Sequence, residues 1–461
     1  MGRSSKYKVR FASSATPYPA LPRKPRGRIP QIDEQPAQTS RSRLACHGCR
    51  IRHIKCDERF PVCTQCRAKG LVCMPRGRPT QWRIETPWLR SRSLLAMPAL
   101  NPRLLQYWLE NASHMMTLDL DNNPMSFPIV GQLLESESLV HVLQSVSAAY
   151  EVFYDPPSIH ESLVERSKAL QTLGQELRAQ TTIRPQTFLA VYMLGVSSPW
   201  IDYSPSAFGQ EHLLAARSIL DELLRQQDFV DHPYRSFIIA AFIWWDMSCS
   251  LLVSPDEQKP LDTPEIDAAV TSLQGRFCAI LSHAIELVYE LGRLGRYCRM
   301  VCDLQIRDLA LEDAFESRLL AWEHSSQVEP LRTLNETFRL HGLVMLYRLC
   351  NRTSPVAETE DYIRECILSM LQNISQIRTH SPVFKFIHIP LLNAAAELTA
   401  EDESLRKQVL DWCAVLYSTN RSPINTWTVE LLQSHWGLKD AGDRSSWLHL
   451  MLQKGWRLNL G

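Results

Sequence analysis

Six cysteines fall into two matched halves: Cys46-x2-Cys49-x6-Cys56, then a six-residue link, then Cys63-x2-Cys66-x6-Cys73. This spacing constrains the chain more than any other feature. The chain has 13 cysteines in 461 residues, and the other seven are scattered. Crowded, regularly spaced thiols in a chain with no apolar leader read as metal ligands rather than disulfides. Soft thiolates suit zinc, which takes four ligands at tetrahedral geometry. Six sulfurs fill the eight positions around two Zn²⁺ ions only if two of them bridge. By the symmetry of the repeat the bridging pair is Cys46 and Cys63. One zinc then takes Cys46, Cys49, Cys56 and Cys63, and the other takes Cys63, Cys66, Cys73 and Cys46.

A local fold follows from that arrangement. Each x2 gap turns the chain onto its metal and starts a short helix, expected over residues 49–55 and 66–69. Gly70 provides a stop, and Pro61 bends the link. So few apolar residues lie here that metal binding must supply most of the folding free energy. Six thiolates and two Zn²⁺ carry a net −2. Against this, Arg50, Arg52, Lys55, Arg59, Arg67 and Lys69 oppose only Asp57 and Glu58 within residues 46–73, a net +4. The metallated module stays cationic, with its cations concentrated on the first helix. Such a helix suits the major groove of double-stranded DNA, where phosphate contacts set orientation and one or two side chains read base edges.

Charge along the chain points the same way. Residues 1–90 hold 20 Lys/Arg against 5 Asp/Glu, and the remainder holds 30 against 44, so +15 sits beside −14 in a chain of net +1. A basic block on an acidic body calls for an anionic partner. The apolar run "FIIAAFIWW" from Phe237 ends at Asp246 and is too short to span a bilayer, so no membrane partner is expected. The N-terminus has no apolar segment of the kind a signal peptide needs.

The fold class is read as all-α: a small two-zinc, two-helix DNA-binding module followed by a large helical domain. Residues 1–43, rich in Ser, Pro, Arg and Lys, are expected to be disordered. Residues 44–76 hold the cysteine module, and residues 77–100, with Pro79, Pro87 and Pro98, read as a linker. From residue 101 to 461 the apolar spacing is helical. Leu213, Ala216, Leu220 and Leu223 share a face, as do Ile280, Leu281, Ala284, Leu287, Val288 and Leu291. The sets Leu340, Leu343, Val344, Tyr347 and Ile363, Ile367, Met370, Ile374 do likewise. Breaks fall near residues 155, 204, 233 and 254–264. No a/d heptad run follows the cysteines, so a coiled-coil dimer is not supported and the oligomeric state stays open.

"ACHGCRIRHIKCDERFPVCTQCRAKGLVC" resembles the fungal binuclear zinc-cluster transcription factors. It matches in all six cysteines, Arg50, "KCD" and Pro61. The resemblance implies a nuclear regulator of RNA polymerase II transcription that reads GC-rich triplets, typically CGG, with the end of the first helix. The family's usual base-reading residue, three before the third cysteine, is lysine; here it is His53. A neutral imidazole offers one donor to a guanine edge, and its charge is pH-dependent near neutrality. Arg52 or Lys55 can share the reading, or His53 can face phosphate instead. The body is similar to that family's helical regulatory region at Phe208, His212 and Leu213, and at the apolar helix ending in Asp246. Such a region implies co-regulator partners and a small-molecule effector.

The segments "RKPRGRIP" and "PRGRP" share an Arg-Gly-Arg core. Pro holds each extended and Gly lets it lie deep in a narrow groove, so Arg76 and Arg78 are placed against an A·T-rich minor groove, as in AT-hooks. The competing reading is a basic linker that touches only phosphate. In the body, Trp244 and Trp245 read as core aromatics, His212 as a hydrogen-bonded, partly buried histidine, and Cys298 and Cys302 as packing. No G-x-G-x-x-G, P-loop, G-x-S-x-G or H-E-x-x-H motif occurs, so no catalytic residue is named and an enzyme is not expected. A different class, a zinc-bearing interaction protein that never reads sequence, is the alternative.

Overall fold

The structure is a computed structural model that describes residues 45–57, 63–69, 71, 73, 97–151, 158–179, 182–323, 326, 328–352, 358–420 and 422–461. The expected tail over 1–43, most of the linker, Pro61, Gly70 and both Arg-Gly-Arg segments, with Arg76 and Arg78, lie outside the described residues. Among the described residues every regular element is a helix. The β-type pairing present is an isolated bridge between Cys278 and Ser282.

The helix starts follow local chemistry. Asn101 precedes Pro102, and its side chain accepts from the Arg103 amide at 3.1 Å. Asp308 caps the helix Leu309–Ala321 by accepting from the Leu311 amide at 3.1 Å. Ser446 does the same for Trp447–Gln453, from the His449 amide at 3.2 Å. Each such cap satisfies an otherwise orphaned amide and contributes roughly 1 kcal/mol.

The apolar faces read from the sequence are buried. Leu213, Ala216, Leu220 and Leu223 lie on the helix Gln210–Arg225, and Ile363, Ile367, Met370 and Ile374 lie on Thr359–Gln376. Leu340, Leu343, Val344 and Tyr347 line Glu329–Leu349, which packs between Ile285–Leu304 and Thr359–Gln376. One face is interrupted. Ile280 and Leu281 are buried, yet the helix begins only at Ile285. Ser282 adopts φ 54° and exchanges two backbone hydrogen bonds of 2.7 Å with Cys278, closing a turn where unbroken periodicity suggested helix.

Two helices are buried almost all round, as central helices must be. In Arg235–Cys249, Trp244 and Trp245 are buried, and the one acid, Asp246, receives a two-pronged contact from Arg296. Glu137–Glu151 buries Ser138, His141, Gln144, Ser145 and Ser147 among its apolar residues. Several of these groups find partners on Ser158–Ala179: Ser145 donates to the Ser162 carbonyl at 2.9 Å, and Glu165 accepts from His141 at 2.6 Å, whereas Ser147 Oγ has no partner among the described residues. A buried polar group without such a partner costs about 1–3 kcal/mol.

Close crossings need glycine at two positions. A Cβ on Gly195 would lie 2.2 Å from the Trp245 ring, and one on Gly209 would lie 2.5 Å from the Gly195 carbonyl oxygen. Gly209 also sits at φ 73°, where L side chains are strained. The Gly195–Gly209 contact lets the helices Pro185–Val196 and Gln210–Arg225 approach each other beneath Trp245.

His212, next to this crossing, departs from its expected role. Its Nδ1 is buried with no hydrogen-bond partner among the described residues. Burial, then the positive charge of Arg166, pushes it below the ordinary histidine value. Its Nδ1 is therefore left unpaired rather than satisfied.

Candidate metal centre and nucleic-acid interface

The two cysteine halves fold alike. The first helix is His47–Ile51 and the second Thr64–Arg67. Each starts two residues earlier than the expected 49–55 and 66–69, because the first cysteine of each half is itself the cap, and each ends earlier, so His53 and Lys55 follow the first helix rather than lie on it. Cys46 Sγ accepts from the Cys49 amide at 3.4 Å, and Cys63 Sγ accepts from the Cys66 amide at 3.4 Å. The exits match too: the Ile54 amide donates to the Cys49 carbonyl and the Leu71 amide to the Cys66 carbonyl, both at 3.0 Å.

These turns converge the sulfurs. The ligand atoms of Cys46, Cys49, Cys63 and Cys66 all lie within 4.8 Å of one another. Cys46 and Cys63 are 3.8 Å apart, Cys46 and Cys66 3.6 Å, and Cys49 and Cys63 3.6 Å. A zinc–sulfur bond of about 2.3 Å gives a tetrahedron with an edge of about 3.8 Å, so these separations fit shared zinc coordination. Cys56 approaches Cys63 and Asp57, and Cys73 Sγ accepts from the Cys63 amide at 3.4 Å. All six cysteines are buried.

Their acid–base state also fits a metal. Burial, then hydrogen bonds with Cys46 and Cys63, pushes the Cys49 thiol far up. Burial, then hydrogen bonds with Cys63 and Cys46, does the same for Cys66, and burial first raises Cys73 to about 12. These three thiols, buried beside their neighbours, resist ionisation. A divalent cation reverses that balance, since a coordinating thiol is deprotonated outright.

Two side chains take roles the sequence does not reveal. Asp57, exposed, joins the halves: its carboxylate accepts from the Thr64 amide at 3.0 Å and from the Thr64 hydroxyl. Arg52 turns inward. Its Nε donates to the Gly48 carbonyl at 3.0 Å, and its Nη2 lies 3.4 Å from Cys66 Sγ and 3.7 Å from Cys49 Sγ. The other DNA-contact candidates in the described module, Arg50, His53 and Lys55, are exposed, as are Arg67 and Lys69. His53 follows the cap of the first helix, Arg52, at φ 53°. Histidine enters this left-handed region more readily than most residues, and the His53 amide donates to the Arg50 carbonyl at 3.1 Å. The imidazole thus stands at the exposed tip of the helix.

A compact six-thiol module with an exposed cationic tip, joined in one chain to a large helical domain, has the makings of a zinc-cluster protein. Comparison with known families gives the same class. The fungal Zn(2)-Cys(6) binuclear cluster domain matches residues 44–83, and the fungal specific transcription factor domain matches residues 103–461. The chain belongs to this family of fungal transcription factors, and its cysteine module carries two zinc ions. A relative is the transcriptional regulatory protein pro1 of Neurospora crassa, 32% identical over 84 residues. That stretch is 18% of this chain and spans only 11% of the relative. No solved structure matches the chain.

Proposed function

We propose that the chain is a nuclear, sequence-specific regulator of RNA polymerase II transcription that reads a GC-rich, CGG-like triplet. Residues 44–76 are the reader, residues 77–100 the linker, and residues 101–461 the control domain that engages co-regulators. The observation that carries this reading is the exposed tip of the helix His47–Ile51. There Arg50, His53 and Lys55 all face outward beside the buried sulfurs.

Cys46 and Cys63 bridge the two zincs, Cys49 and Cys56 complete one site, and Cys66 and Cys73 complete the other. The close sulfur pairs support this division, because 46–63, 46–66 and 49–63 each fall within one quartet. When bound, zinc supplies the rigid shape and holds the thiolates ionised. The chain's own residues do the reading. Arg50 and Lys55 take phosphate and base edges, and His53 donates to guanine N7 or O6. Arg52, turned to the sulfurs, offsets cluster charge instead. Arg76 and Arg78 extend the contact into a neighbouring A·T-rich minor groove.

Selection of duplexes from a random pool by the full chain tests this proposal. The expected result is an enriched GC-rich triplet whose affinity falls steeply with salt, with a log–log slope of about −3 to −4 for four phosphate contacts. Retention of zinc without any preferred duplex would instead mean an interaction module that does not read sequence.

A further inference from the structure

Ile51 closes the helix His47–Ile51 with 63% of its surface in solvent, more than Ile54 at 36% or Leu71 at 40% in the same module. The symmetry of the module shows which of this apolar surface the fold requires. A shift of 17 residues carries Cys46 onto Cys63, Cys49 onto Cys66 and Cys56 onto Cys73. Ile54 then falls on Leu71, and the amide of each donates back to the second cysteine of its own half. An apolar side chain stands at that exit in both halves, so it belongs to the turn. Ile51 falls instead on Ala68, the exposed C-cap of Thr64–Arg67. The second half makes the same turn with a bare methyl group at this position. The turn therefore does not need the larger side chain, and the buried sulfur core does not use it.

The surroundings of Ile51 are cationic. Arg50 precedes it, and Arg52, His53 and Lys55 follow; of these Arg50, His53 and Lys55 are exposed. Single exposed apolar residues are ordinary on protein surfaces. What sets Ile51 apart is its place two residues before His53, in the cation-rich half only. A surface that covers it must be anionic and still present an apolar group. The DNA major groove meets both terms. Phosphates flank it, and the thymine C5 methyl is the apolar group on its base edges.

We propose that Ile51 packs against the methyl group of a thymine in a base pair flanking the GC-rich triplet, and so sets specificity at one further position. The inference rests on the reading proposed above, in which His53 and its neighbours meet the base edges of that triplet. The contact is read from the major groove, where the methyl group marks which strand carries the thymine. A minor-groove contact by Arg76 and Arg78 is blind to it, because an A·T pair looks alike there in either orientation.

Titrating the full, zinc-loaded chain against its selected duplex tests this. In copies of that duplex each thymine near the triplet is replaced in turn by deoxyuridine, which removes the methyl group and leaves every hydrogen-bonding atom in place. One flanking position is expected at which uracil weakens binding about fourfold, the worth of one buried methyl group. Ile51→Ala, which copies the residue of the second half, is expected to retain two zincs by native mass spectrometry and the same triplet preference, and to bind the thymine and uracil duplexes equally. A triplet bound without any thymine-to-uracil difference at its flanks, or a difference that survives in Ile51→Ala, overturns the role given to Ile51 and leaves triplet reading standing. Absence of any preferred triplet overturns that reading, and this inference with it.

Discussion

Arg52 separates the metal centre from the DNA surface, so Arg52→Met is the most informative single change. The guanidinium sits 3.4 Å and 3.7 Å from two cluster sulfurs and 3.0 Å from the Gly48 carbonyl oxygen. Two zincs and six thiolates leave a net −2 that this cation partly offsets. A hydrogen bond to a charged acceptor contributes about 1.5–3 kcal/mol. Arg52 is only half-buried, so solvent screening favours the lower end, about 1.5 kcal/mol, or roughly tenfold in zinc affinity. The assay is competition for zinc with a chelator, following metal release from the full chain. Arg52→Met should shift the midpoint about tenfold toward release, and Arg52→Lys should recover part of it, because lysine keeps the charge but lacks the planar fork. Once saturated with zinc, the methionine variant should bind DNA nearly as well as the wild type. Unchanged zinc competition combined with a large loss of DNA affinity would refute this reasoning and assign the guanidinium to the duplex.

Other consequences follow from the body. Glu312 is fully buried and accepts from Arg307 at 2.6 Å and 2.9 Å and from the Tyr297 hydroxyl at 2.8 Å. Glu312→Ala leaves those partners unmatched and should cost about 3–5 kcal/mol in urea denaturation. Burial raises the Glu165 carboxyl, but hydrogen bonds from His141, Lys168 and Gln144 outweigh it and hold it at about 2. The Arg364 hydrogen bonds hold Asp402 at about 2 against its burial. Both folded values lie below the unfolded ones, so their contribution is full above about pH 5 and is lost as pH falls toward 2. Circular dichroism melts across that window should show a falling midpoint, and Glu165→Gln should flatten part of the slope. Gly195→Ala puts a methyl group into the Trp245 ring and should lower stability by about 1–3 kcal/mol, read by thermal melting.

The cysteine module was largely legible because its constraint is local: a repeat in sequence becomes a repeat of turns, each held by its own sulfur. The helix starts were misjudged because Cys46 and Cys63 act as caps, a role that ligand spacing does not reveal. Helical faces such as Leu213–Leu223 were visible as periodicity, since burial of one stripe is what the spacing encodes. Ile280 and Leu281 show the limit of that signal: burial continues where the backbone has already turned. The inward turn of Arg52 was hidden because its partners come from both halves of the module. His212 was read as satisfied, yet the crossing beneath Trp245 leaves its Nδ1 without a partner.

Native mass spectrometry of the fully reduced, full-length chain tests the central claim most directly. The sulfur geometry predicts two zincs per chain, and replacement of Cys46 or Cys63 should disturb both at once, whereas replacement of Cys56 or Cys73 should disturb one site first. A reduced chain that binds a single zinc, or that keeps both after loss of Cys46, would contradict a cluster built on two shared sulfurs.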